Sequence, residues 1–232
     1  MLASVLRSIC ERLLDFAFPR YCLACQGILQ PGTRLFCPEC RPKLPFLKQA
    51  CPVCALPVEP EAHLCGACRQ GRPFEKVHVA FRYEEPLATA IKKLKYNGAL
   101  WLAKELAWLW QEHLAPVDAD LVLPVPLHPQ RLLQRGFNQS LLVARFLFGR
   151  KVAPDLLRRI RPTRPQVELP PRERFLNVKG AFVLQDSRPV KGRHVLLFDD
   201  VMTTGATIEE CARVLKEAGA KRVEVALLAR AG

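Results

Sequence analysis

Eight cysteines fall into four Cys-x-x-Cys pairs: Cys22/Cys25, Cys37/Cys40, Cys51/Cys54 and Cys65/Cys68. A Cys-x-x-Cys turn sets two sulfurs one metal edge apart. Two such turns complete a tetrahedral S₄ site, the geometry Zn²⁺ favours. Four thiolates leave no open position, so each site is structural rather than catalytic. The spacing is compatible with two pairings. In one, Cys22, Cys25, Cys37 and Cys40 hold one ion and Cys51, Cys54, Cys65 and Cys68 the other. In the other, pairs one and three, and two and four, are cross-braced. Redox dithiols would need a thioredoxin-like βαβ pattern around one pair, and the sequence has none. Gly27, Pro31, Gly32, Pro38, Pro52, Pro57 and Gly66 read as hairpin turns between the pairs. The segment is too short for a core of its own, so two zinc ions supply its stability. His63 reads as a surface histidine, and Cys10 and Cys211 as core residues on helical apolar faces.

The cysteines do not imply secretion. Leu2, Val5, Leu6, Ile9, Leu13 and Phe16 share one helical face, with Arg7, Glu11, Arg12 and Asp15 between them. That predicts an amphipathic helix over residues 1–20, not a signal peptide. No apolar run approaches the ~18–20 residues of a membrane span. A cytoplasmic, reducing location is expected, where clustered cysteines mean metal. Half of the 232 residues are hydrophobic, which excludes a disordered chain. The formal charge of +13 makes a polyanionic partner plausible.

A second constraint lies near the C-terminus. Val195-Leu196-Leu197-Phe198 is an unbroken apolar run, as in a strand buried on both faces of a parallel sheet. Asp199 and Asp200 follow, then Thr203-Thr204-Gly205, then Ile208, Cys211, Ala212 and Leu215 at helical spacing. A helix N-terminus offers unpaired N–H groups and partial positive charge, which suit a phosphate. Gly205 lets backbone approach a ligand, and the threonine hydroxyls add donors. Carboxylates at the C-terminal end of such a strand can accept sugar hydroxyls or bind Mg²⁺. No Gly-x-x-x-x-Gly-Lys-Ser/Thr is present, so this is not a P-loop. The stretch resembles the signature of type I phosphoribosyltransferases that binds phosphoribosyl pyrophosphate (PRPP). The resemblance places the ribose hydroxyls on Asp199 and Asp200. It places the 5′-phosphate on Thr203, Thr204, Gly205, Ala206 and Thr207.

Between these landmarks, Val77–Tyr83 alternates like a strand. Residues 87–110 read as helix broken near Asn97-Gly98, with Trp101, Trp108 and Trp110 as packing residues or base-stacking platforms. Leu121–Val125 is a second apolar strand, and the prolines at its end predict a loop through residues 127–136. Arg131 and Arg135 fall where such a loop meets a pyrophosphate. Residues 137–148 read as helix, and a further basic loop runs from Arg158 to Arg174. Residues 131–174 hold eleven Lys/Arg against three Asp/Glu. Short strands at residues 182–184 and 223–228 complete the pattern, an α/β fold with a mostly parallel sheet.

The combination resembles the ComF/GntX family of competence proteins. It is carried by the cysteine pairs, Pro124-Val125-Pro126-Leu127, Arg135-Gly136-Phe137-Asn138-Gln139, Arg174 to Phe182 and the Asp199 to Thr207 loop. The resemblance implies a double zinc ribbon over 21–72 and a type I phosphoribosyltransferase-like domain over 73–232. It implies PRPP binding with Mg²⁺ and a role in uptake of transforming single-stranded DNA, with a helicase or membrane channel as further partner. It also places Arg135, Gly136, Asn138, Gln139, Arg174 and Asn177 around the cleft. If the domain is active, it is a pentosyl-class glycosyltransferase, with Asp199 and Asp200 steadying the cationic sugar-like centre and Arg131 or Arg135 the leaving pyrophosphate. The alternatives are a PRPP-sensing regulator and a nucleic-acid-binding protein, both without turnover.

Overall fold

The computed structural model describes residues 19–59, 63–164 and 169–232. The expected N-terminal helix and Cys10 lie outside the described residues, except for Pro19 and Arg20.

A four-stranded parallel sheet organises the chain, in the order β1-β6-β5-β2. Its strands are β1 (Lys76–His78), β2 (Leu121–Pro124), β5 (His194–Met202) and β6 (Arg222–Arg230). β3 (Leu157–Arg159) and β4 (Phe182–Leu184) form a separate antiparallel pair. Among the described residues seven α-helices connect them. They are α1 (Gly66–Arg69), α2 (Leu87–Tyr96), α3 (Trp101–His113), α4 (Pro129–Arg135), α5 (Gln139–Phe148), α6 (Pro171–Val178) and α7 (Ala206–Glu217).

β5 explains the layering. Successive side chains on a strand point to opposite faces. Val195 and Leu197 enter one core with Val223, Val225, Ile208, Cys211 and Leu215. Leu196 and Phe198 enter the other, with the apolar faces of α2, α3 and α5. All four are fully buried, which is why the run contains no polar residue.

The cysteine segments divide in the same way. Cys51, Cys54, Cys65 and Cys68 are buried in the first core, and Cys22, Leu35, Phe36 and Leu44 in the second. Each ribbon therefore covers one face of the sheet, and its apolar residues are continuous with the sheet's cores.

Two stretches expected as loops are helical. Pro129–Arg135 has proline at its first turn, His128 Nδ1 accepting from Gln130 N at 3.3 Å, and Gly136 at φ 79° beyond its end. Pro171–Val178 is likewise started by proline. The expected strand over residues 77–83 ends at His78. The break at Asn97-Gly98 is present, with Gly98 at φ 66° between α2 and α3. Trp110 is buried and donates Nε1–H to Leu227 O at 3.0 Å, whereas Trp101 is exposed.

Candidate ligand-binding site and metal centres

The sulfurs of Cys22, Cys25, Cys37 and Cys40 lie within 4.8 Å of one another, as do those of Cys51, Cys54, Cys65 and Cys68. The fold thus selects the sequential pairing over the cross-braced one. None of the eight is in a disulfide. Burial pushes the Cys51 thiol up. Backbone N–H groups of Cys65, Cys54 and Val53 more than offset this and leave it at about 6. Cys22 reaches about 6 in the same way, through backbone N–H groups of Cys25, Cys37 and Ala24. A closed four-sulfur cage with N–H groups aimed at the sulfurs fits structural zinc. His63 is exposed and belongs to neither cage.

The C-terminal end of β5 forms the second site. Asp199 and Asp200 are still within the strand, toward its C-terminal end. Asp199 Oδ1 accepts from Ser140 Oγ and from Asp200 N, each at 2.9 Å. Asp200 is buried, and its Oδ1 accepts from Val201 N at 2.7 Å. Lys95, from the last turn of α2, places Nζ 2.8 Å from Asp200 Oδ2. Burial, with the neighbouring Asp200 charge, pushes the Asp199 carboxyl up to about 7. Burial alone would lower the Lys95 ammonium, but Asp200 reverses the effect and leaves it raised.

The chain then turns through Thr203 and Thr204 to Gly205, which caps α7 in the left-handed conformation at φ 90°. A side chain there would be strained, so glycine is required. Ala206 N reaches Thr204 Oγ1 at 3.5 Å. The loop's threonines stay half-exposed at the helix N-terminus, where N–H groups converge.

Residues 13–69 match the double zinc ribbon domain and residues 156–232 the phosphoribosyl transferase domain. Competence protein F of Haemophilus influenzae is 31% identical over 224 residues, covering 90% of this chain and 96% of that protein. The chain belongs to the ComF family. DNA utilization protein YhgH of Escherichia coli K12 is 34% identical over 91% of this ComF-family chain and 97% of its own. Competence protein ComFC of Streptococcus pneumoniae is 31% identical over 65% and 66%. Among solved structures, the glutamine PRPP amidotransferase from B. subtilis, complexed with ADP and GMP, matches 54% of this chain and 25% of its own. Its identity is 21% and its TM-score 0.33.

The other residues singled out in this ComF-family sequence take varied positions. Arg174, on α6, donates to Thr203 Oγ1 at 3.3 Å, joining the loop. Arg131 donates to Thr163 O at 3.4 Å. Arg135 donates to Gln139 Oε1 at 2.6 Å and lies over the Tyr96 ring at 5.2 Å. Neither bonds directly to the acidic pair. Asn138 caps α5, accepting from Ser140 N and Leu141 N, and donates to Val125 O at 3.0 Å. It thereby holds Ser140 under Asp199. Asn177 bonds both backbone groups of Arg164, bracing the chain ahead of α6.

Three residues were not singled out: Lys95, Ser140 and Arg159. In the sequence Lys95 is one basic residue among Lys92, Lys93 and Lys95, and nothing local to Ser140 marks it. Arg159 is buried, hydrogen-bonds the Thr163 hydroxyl and lies 5.4 Å from the Phe182 ring centroid. Its Nε has no partner, and among the described residues no carboxylate pairs with it. It lines a cavity of about 580 Å³ with Leu127, Asn138 and Leu157. An unpaired buried cation of this kind is costly unless an anion joins it.

Proposed function

We propose that this chain binds PRPP at the end of β5 and acts in the uptake or handling of transforming single-stranded DNA. The observation carrying the first half is the pairing of two strand-end carboxylates with a glycine-headed helix N-terminus, on a parallel sheet. In this reading Asp199 and Asp200 accept the ribose hydroxyls. The loop from Thr203 to Thr207 takes the 5′-phosphate, and Arg131, Arg135 and Arg174 face the pyrophosphate. Asn138 acts by holding α5. Two hard carboxylate donors suit Mg²⁺, which when bound neutralises pyrophosphate charge.

The second half is supported by what the relatives are named for, competence and DNA utilization. Tyr96 is 70% exposed and Trp101 59% exposed, beside the basic Lys92 and Lys93. Aromatic rings interleaved with cations suit single-stranded nucleic acid. Among the described residues no helix is long and apolar enough to cross a membrane. A cytoplasmic location, and a helicase or channel partner, belong to the same proposal.

Calorimetry with PRPP and Mg²⁺, with and without single-stranded DNA, tests binding. Release of labelled pyrophosphate separates an enzyme from a sensor. Binding with release supports pentosyl transfer, and binding without release a PRPP-sensing regulator. Absence of PRPP binding contradicts the assignment.

A further inference from the structure

Arg230, the last residue of β6, is 3% exposed, yet among the described residues no carboxylate pairs with it. Its guanidinium is spent on backbone carbonyls from two distant parts of the chain. Nε donates to Cys54 O at 3.1 Å, and Cys54 is a ligand-set member of the second ribbon. Nη1 donates to Met202 O at 2.9 Å and Thr203 O at 2.6 Å, where the proposed phosphate loop leaves β5. It also bonds Ala231 O. The β5–β6 register pairs Met202 with Arg230, which fixes this placement.

A second tie runs parallel to the first. Arg72, just beyond Cys68, pairs with Glu209 in the first turn of α7. Its Nη1 would lie 3.7 Å from a Cβ on Gly205. Met202, Ala206 and Ile208 share their core with all four cysteines of the second ribbon. The first ribbon differs. It packs on the opposite face, where its arginines pair with α3 through Arg34–Glu105 and Arg41–Glu112. Among the described residues no hydrogen bond or ion pair joins residues 21–44 to residues 202–206.

We propose that Arg230 is a positioning residue that ties the phosphate loop to the second zinc ribbon, and to that ribbon alone. Metal retention at Cys51, Cys54, Cys65 and Cys68 and order in the loop are then one coupled equilibrium. Anything that orders the loop holds the second zinc, and loss of that zinc loosens the loop. The coupling is reciprocal by thermodynamic necessity. The PRPP arm rests on the proposed reading of the loop as a phosphate site; the tie itself does not.

The zinc-loaded full chain is challenged with a chromogenic zinc chelator, with and without saturating PRPP. Cys25→Ser, which disables the first cage, identifies the two release phases. The expected result is at least about a fivefold slowing of the second-ribbon phase by PRPP, the lower end of common couplings, with the other phase unchanged. Arg230→Met keeps the apolar stem and removes the donors; it should reduce the slowing below about twofold while both ions remain bound. A merely structural role would alter basal release but leave the PRPP effect intact. Hydrogen exchange supplies an arm without PRPP. Amides of residues 203–206 should exchange faster in zinc-loaded Arg230→Met, and in wild type stripped of the second zinc, but not in Cys25→Ser. If Arg230→Met does not fold, Arg72→Gln tests the parallel tie by the same readings. PRPP binding that changes neither release phase overturns the coupling and leaves the PRPP site standing. No PRPP binding removes the site reading, and unaltered exchange in the variants then overturns the tie itself.

Discussion

Lys95 Nζ lies 2.8 Å from Asp200 Oδ2, an ion pair between the end of α2 and the C-terminal part of β5 with both side chains largely buried. A cation from the protein itself therefore pairs with Asp200 and offsets part of the repulsion between the two carboxylates. Breaking a buried pair from one side leaves an unmatched charge. Lys95→Met should destabilise the chain by about 3 kcal/mol at pH 8, read by urea denaturation. Lys95→Met with Asp200→Asn should recover much of that loss. Additive losses in the double variant would show that the two groups do not depend on each other.

Asp199 gives the site a pH signature. Its folded-state value of about 7 is raised above the ordinary 3.8, so the folded chain holds this proton more tightly than the unfolded chain does. Its contribution to stability therefore declines as pH rises from about 4 to about 7, the reverse of a salt-bridged carboxylate. Asp199→Asn should flatten that decline and raise stability by at least about 1 kcal/mol at pH 8. Denaturation midpoints across this range check the slope; a wild-type curve rising through the window, with no change in the variant, would contradict the account.

Arg159, like Arg230, is a buried cation with no carboxylate partner among the described residues. Arg159→Met should change ligand-free stability by less than about 1 kcal/mol, because the lost hydrogen bond is offset by removal of an unmatched charge. Affinity for PRPP or inorganic pyrophosphate should fall by about 2 kcal/mol, as expected for a charge-assisted contact. Calorimetry and denaturation together read both quantities. A large stability loss with unchanged affinity would make Arg159 a structural residue only.

Zinc removal bears on the whole chain. Read alone, the sequence favours a ribbon segment that unfolds on chelation while the rest stays folded. The cysteines and their neighbours instead contribute to the cores on both faces of the sheet. Metal analysis should give about two zinc ions per chain, and chelation should lower the melting temperature of the sheet as well, by more than about 10 °C. A sheet transition unmoved by chelation would contradict this shared-core account.

What was legible in the sequence was local. The run Val195 to Phe198 has no polar residue because both of its faces are covered, and the cysteine spacing encodes two four-sulfur cages. The acidic pair and Gly205 stand together because strand end and helix start are adjacent in the chain. What was not legible depends on contacts between distant segments. Nothing near Lys95 points to Asp200, nothing near Ser140 points to Asp199, and Arg230 reads as one more basic residue. The division of the two ribbons between opposite faces of β5 likewise has no local signal. The short helix Pro129–Arg135 was hidden because its cap is His128, outside the usual Ser/Thr/Asp/Asn set.

The central claim is that the end of β5 is a PRPP site. Its most direct measurement is calorimetric titration of PRPP with Mg²⁺ into the wild-type chain and into Asp199→Asn/Asp200→Asn. At pH 8, above the Asp199 value of about 7, the double substitution preserves size and removes two charges. The account predicts saturable binding to the wild type and a loss of at least ~2 kcal/mol, roughly thirtyfold in Kd, in the variant. Equal affinity in the two proteins would contradict it.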